Sequence, residues 1–247
     1  MATAKKTEVA VAAKQEVGFL ETAPEWATGP GRGNENVGVG DMVLPRIEII
    51  QAQSPIKDEN EDARDGGMFN SATAELLGSS VYVIPIYFRT EFIVWRDIDS
   101  GGGFLGAFNT KAEAESRVAE AIASGDDDEG DLEIVDTPVH YCLMVQPGND
   151  HGEQMVVSMA KSKAKVSRRW NAVIAINGGD RFSRVYKLTT FKDANKKGQQ
   201  FWNYVVTPAG FTPRPLFEQA EHLYEIFKSG AVRTSYEDAI DVATTEI

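Results

Sequence analysis

One cysteine, three histidines and no long apolar run mark what this 247-residue chain has least of. Cys142 has no second cysteine to pair with, so stability must rest on a buried core, which a chain of this length can build. A chain without internal disulfides fits a reducing compartment. No stretch approaches the ~18 consecutive apolar residues of a membrane helix. Residues 1–17 interleave charge with Ala and Val, unlike the apolar centre of a signal peptide. The expected location is therefore a cytoplasm. His140, His151 and His222 fall on separate predicted elements, and with a single Cys they form no zinc set. Walker A, GxGxxG, GxSxG and HExxH patterns are all missing. Asp97, Asp99 and Gly102 open like a calcium loop, but the fifth position is Gly101 and the twelfth is Phe108. The sequence thus offers no catalytic residue, no metal ligands and no cofactor motif, and the expectation is a protein that is not an enzyme.

Positive charge is also scarce overall, with 25 Lys and Arg against 37 Asp and Glu, a net charge of −12. It is unevenly spread. Residues 155–205 hold eleven basic side chains (Lys161, Lys163, Lys165, Arg168, Arg169, Arg181, Arg184, Lys187, Lys192, Lys196 and Lys197). Only Asp180 and Asp193 oppose them, a local balance of +9 against −21 for the other residues. Fields at a protein surface follow the local arrangement of charge, screened over about 8 Å at physiological salt. A polyanion can therefore be attracted to one region of an acidic chain.

Along the chain, residues 1–40 are glycine-punctuated without a sustained period and read as a flexible leader. The pattern then predicts a domain over 41–230. A strand is expected near 43–50, the densest β signal runs from Val81 to Trp95, and Pro85 implies two strands or a bent one. Residues 96–137 read as an insertion. It holds a glycine loop ending in Phe104 and a helix capped by Thr110 and Glu113 that stops at Gly125. Seven carboxylates among residues 126–136 follow, expected as a solvated loop because contiguous like charges repel. Strands are expected at 140–145 and 155–159. A basic helix follows at 161–176, with Val166, Trp170, Val173 and Ile174 as its apolar stripe. Two alternating runs around a glycine turn, 181–191 and 199–207, predict a hairpin with a basic tip. A last helix near 215–229 precedes an acidic tail, 231–247.

Seven aromatics share the basic segment: Trp170, Phe182, Tyr186, Phe191, Phe201, Trp202 and Tyr204. Single-stranded nucleic acid is held by cations along its phosphates and by rings stacking on its bases. Either Phe201, Asn203 and Val205 or Trp202, Tyr204 and Val206 must face inward, and periodicity leaves both arrangements open.

Residues 44–55 (LPRIEIIQAQSP), 83–88 (VIPIYF) and 92–95 (FIVW) resemble a group of tailed-bacteriophage proteins. So do 185–190 (VYKLTT), 195–198 (NKKG) and Phe201. The group is that of phage single-stranded DNA-binding proteins of replication and recombination. The resemblance implies a mainly β, α+β fold: an OB-like Greek-key barrel with insertions and a C-terminal helix. It implies single-stranded DNA as partner, with phage or host replication and recombination proteins beside it, in the host-cell cytoplasm. The expected contacts are the eleven cations above with Tyr186, Phe191, Trp202, Tyr204 and Phe104. The sequence leaves the oligomeric state open. A rival reading is an acidic interaction protein that docks a host or viral replication, transcription or defence protein through residues 126–136. A third is a metal-dependent phosphodiester enzyme built on Asp97, Asp99 and Asp126, Asp127 and Asp128.

Overall fold

The computed structural model describes residues 24, 32–33, 44–97, 100–128, 130–195 and 198–229. Apart from Pro24, Arg32 and Gly33, the expected leader lies outside the described residues, as do the acidic tail, Asp99, Glu129, Lys196 and Lys197. Every described strand and helix belongs to the unit Val39–Ile247.

Among the described residues the fold is mainly β with four α-helices. Two long strands, β4 (Ser80–Arg96) and β6 (Leu132–Val145), pair antiparallel along nearly their whole length. Pro85 cannot donate to a ladder, and the register shifts between Pro85 and Tyr87, so β4 is one bent strand. The bend divides its other edge. The first half pairs with β8 (Arg184–Ala194) through Ser80–Val83, and the second half pairs with β5 (Gly103–Phe108). With β7 (Glu153–Ser158) and β9 (Gln200–Phe211), the main sheet runs β7-β6-β4-β8-β9. Beyond the bend, β5, β4 and β6 form an arm that carries α2 (Lys111–Ser124).

A second, three-stranded sheet comprises β1 (Ile47–Ile49), β2 (Met68–Asn70) and β3 (Leu76–Gly78), with a one-turn helix α1 (Ile56–Glu59) between β1 and β2. The chain around β1 touches both ends of the main sheet. At one end Arg46 bridges Val156 of β7 in parallel, and Val156 N donates to Pro45 O at 2.8 Å. At the other, the Gln51 amide exchanges two 2.8 Å hydrogen bonds with the backbone of Trp202 in β9. Among the described residues the strand ladder stays open, with β7 and β9 as its ends.

The sheet has two buried faces. On one, Val81, Val83, Cys142, Met155, Val157, Tyr186, Leu188 and Tyr204 pack with Ile47, Met68 and Trp170 of helix α3 (Ala164–Asn177). On the other, Ile84, Tyr141, Leu143, Val145 and Val156 receive Leu216, Ala220, Leu223 and Phe227 of α4 (Arg214–Lys228). Gln219 of α4 fixes the helix by accepting from Gly152 N and donating to Gly152 O, both at 2.9 Å. Burial of a Leu or Phe side chain contributes about 2 kcal/mol, so Leu216, Leu223 and Phe227 anchor α4 firmly.

The capping box on α2 is present, with Glu113 N donating to Thr110 Oγ1 and Thr110 N donating to Glu113 Oε2. Gly125 ends the helix at φ +78°, a left-handed value that glycine adopts without strain. The expectation of a solvated acidic loop over 126–136 holds for the exposed Asp126 and Asp128 but not for the rest of the described stretch. Residues from Leu132 onward belong to β6, and Asp127 is buried in a two-pronged pair with Arg96. That guanidinium holds the Asp127 carboxyl below the ordinary carboxylate range. Asp131 accepts from Ser100 Oγ at 2.6 Å. Local charge repulsion is outweighed here by the half-exposed Arg96 counterion and by the pairing that β4 offers.

Candidate nucleic-acid interface

Helix α3 is laid down by its apolar stripe. Trp170 stacks on His140 of β6 (4.3 Å, 16° between planes) and meets Tyr186 of β8 edge-on at 5.7 Å. Val166, Val173 and Ile174 pack beside it. Residues three and four apart share a helix face, so the opposite face presents Lys165, Arg168, Arg169 and Ala172, all exposed. Ile176 ends that face at 84% exposure. Among the described residues none of Lys165, Arg168 and Arg169 has a carboxylate within ion-pair distance. Lys161, in the 3₁₀ turn Lys161–Lys163 ahead of α3, pairs with Glu133 at 3.5 Å. Lys163 is half-buried. The first turn of α3 contains no acidic residue. The start of a helix carries about half a positive charge, and cations there cost about 0.3–1 kcal/mol each at exposed positions. Lys165 lies in that first turn and Arg168 and Arg169 in the next, so only Lys165 stands where a cation stabilises the helix least.

Arg181 is not part of that surface, contrary to expectation. It is largely buried beneath α3, and its Nη2 donates to His140 Nδ1 and to Asn171 Oδ1, each at 2.8 Å. Its guanidinium lies 5.3 Å from the Phe88 ring centroid. Because arginine only donates, His140 Nδ1 must accept, which leaves the ring proton on Nε2, 2.8 Å from Ser167 Oγ. A histidine that donates to a serine cannot deprotonate it, so this buried pair is no nucleophile and base. Burial first, and then the Arg181 charge, hold the His140 pKa well below its ordinary value. Trp170 Nε1 and Arg181 Nε are buried here without partners.

On the hairpin, alternation settles which side chains face inward. Tyr186, Leu188 and Tyr204 are in the core, and Tyr204 Oη donates to Ile47 O at 2.6 Å. The expectation that Tyr186 and Tyr204 stack on bases is thereby corrected: both rings are enclosed by α3 and β1. Trp202 is half-buried and lies over Gly66, where an added Cβ would sit 2.6 Å from the ring. Lys187 and Phe191 point to the opposite side of the sheet from α3. Lys187 Nζ lies 5.7 Å from the centroid of Tyr82, and Phe191 is 39% exposed. At the base of the hairpin Arg184 lies 4.2 Å from the centroid of Phe211, which is 72% exposed. Lys192 is exposed near the tip, and Phe104 in the arm meets Trp95 edge-on at 5.5 Å.

The expected cations thus occupy both sides of the sheet instead of walling a single groove. Lys165, Arg168 and Arg169 lie together on α3. Arg184, Lys187 and Phe191 lie on β8. The exposed Phe211 and the half-buried Tyr82 and Trp95 are aromatics beside these cations and Phe104 that sequence reasoning missed. Tyr82 hides in an unbroken apolar run, and Phe211 falls beyond the basic segment. Trp95 could be paired with Phe104 only through the β4–β5 register.

No helix among the described residues is long and apolar enough to cross a membrane. Nor does any group of His, Cys, Asp or Glu among them have a metal-binding arrangement. A chain with this charge pattern and sheet proves to be a bacteriophage protein. A family model described as Pam3 phage gp34-like protein matches residues 13–233, and the chain belongs to that family. No curated protein and no solved structure gives a significant match.

Proposed function

We propose that this phage protein binds single-stranded DNA with little sequence preference and without catalysing a reaction on it, in phage replication or recombination. The observation that carries the reading is the face of α3, where Lys165, Arg168 and Arg169 stand without carboxylate partners among the described residues in a chain of net charge −12. Three like charges held on one helix face without counterions repel one another, whereas phosphates neutralise them.

The strand order supports an oligonucleotide-binding architecture. With β5 and α2 set aside as an insertion between β4 and β6, strands β4, β6 and β7 come in order, α3 crosses over, and β8 returns beside β4, giving the spatial order β8-β4-β6-β7. Three successive strands and a fourth beside the first make a Greek key. An OB-fold is a five-stranded, partly open Greek-key barrel. Here β9 is the fifth strand, and the segment around β1 spans the remaining gap. OB-folds use the outer face of their second and third strands for ligands. In this chain α4 covers that face of β6 and β7, so we assign the contact to α3 instead. The rival docking reading has less support, because Asp127 and Asp131 are engaged inside the chain.

The test is a titration of intrinsic tryptophan fluorescence with oligo(dT) at low salt, beside a duplex of equal length. Saturable binding to the single strand, weakening log-linearly with salt, is expected. No binding to oligo(dT) at low salt rejects the proposal.

A further inference from the structure

We infer that a bound single strand does not stop at α3 but turns around the free edge of β9 and continues along the outer face of the hairpin. The inference rests on the single-strand reading above and specifies its path.

Three observations carry it. First, cations beside rings recur beyond α3, with Lys187 over Tyr82 on the far side of the sheet, Phe191 exposed four residues further on along the same face, and Arg184 over Phe211 at the hairpin base. A nucleotide carries one anionic phosphate and one flat base, and a cation beside an exposed ring matches both. Second, β9 is the last strand of the sheet, and α3 packs against it, so only the width of one hairpin separates the two surfaces. Third, the route is restricted. The Trp202 end of β9 is closed by Gln51 and Gly66, whereas Thr207, Pro208, Ala209, Gly210 and Phe211 are exposed. The crossing therefore lies over residues 207–211, and Arg184 with Phe211 stands at that point. The outer faces of β6 and β7 offer no alternative, since α4 occupies them.

The experiment measures fluorescence anisotropy of dT oligomers of about 4 and about 16 nucleotides, the range of OB-fold site sizes, with the full chain at 0.1 M salt. Wild type should hold the longer oligomer much more tightly. Lys187→Ala with Phe191→Ala should leave the short oligomer unaffected and weaken the long one. Loss of one phosphate contact gives about fivefold at this salt, and the missing stack adds to it. Lys187→Gln alone, with an unchanged melting curve, guards against misfolding of the double variant and should show the fivefold part. If the long oligomer binds both variants as tightly as wild type, while substitution of Lys165, Arg168 and Arg169 still weakens it, the path is wrong and the binding surface on α3 stands. If wild type binds neither oligomer, the single-strand reading itself fails.

Discussion

Replacing Lys165, Arg168 and Arg169 together by Ala is the perturbation whose size the structure fixes best. The three side chains are exposed on one face of α3, opposite Trp170, and have no carboxylate partners among the described residues. Each phosphate contact on a single strand contributes about 0.7 to the slope of log K against log salt. Three lost contacts should lower that slope by about 2. Affinity for oligo(dT) then falls about a hundredfold at 0.1 M salt and only about tenfold at 0.3 M. Stability should move the other way. Surface substitutions usually stay within about 0.5 kcal/mol, and removal of Lys165 from the first turn of α3 is favourable. The melting temperature should therefore hold or rise slightly. Anisotropy titrations at several salt concentrations, with a thermal melt of the same samples, read both. An unchanged slope, or a weaker affinity accompanied by a clear loss of stability, refutes the reasoning.

Tyr204→Phe removes the hydrogen bond to Ile47 O and should cost about 1 kcal/mol in a denaturant titration without changing DNA affinity. Gly66→Ala combines a φ of +79° with a contact 2.6 Å from Trp202, so the melting point should fall and the tryptophan emission shift. Cys142 is fully buried with its thiol pushed up to about 12, so iodoacetamide should label it only after unfolding, as mass spectrometry would show. His140 titrates below its ordinary value in the folded chain, so the unfolded chain binds the extra proton first as pH falls. Its stabilising effect is complete above about pH 6.5 and is lost as pH drops through the range below. Melting curves from pH 7.5 to 5 should show that loss, and His140→Gln should flatten it.

Much of this fold was legible because its signals are local. Thr110 and Glu113 specify the start of α2, Gly125 its end, and the spacing of Val166, Trp170, Val173 and Ile174 the buried stripe of α3. Other features depend on long-range partners. The acidic stretch reads as a loop until Arg96 reaches Asp127 and β4 supplies a partner for Leu132–Val145. Arg181 reads as a surface cation until α3 and β6 close over it. The inward choice between Trp202 and Phe201 was undecidable by period alone. It is set by Gln51 and Gly66, more than a hundred residues away. The candidate site was legible as a basic segment but not as two surfaces, since alternation along β8 sends Lys187 away from α3.

Residue-resolved protection tests the central claim most directly: mass-spectrometric labelling of lysines and arginines with and without oligo(dT). Protection of Lys165, Arg168 and Arg169 on α3, extending to Arg184 and Lys187 with the longer oligomer, is the predicted result. Equal labelling of those side chains in the bound and free protein would contradict it.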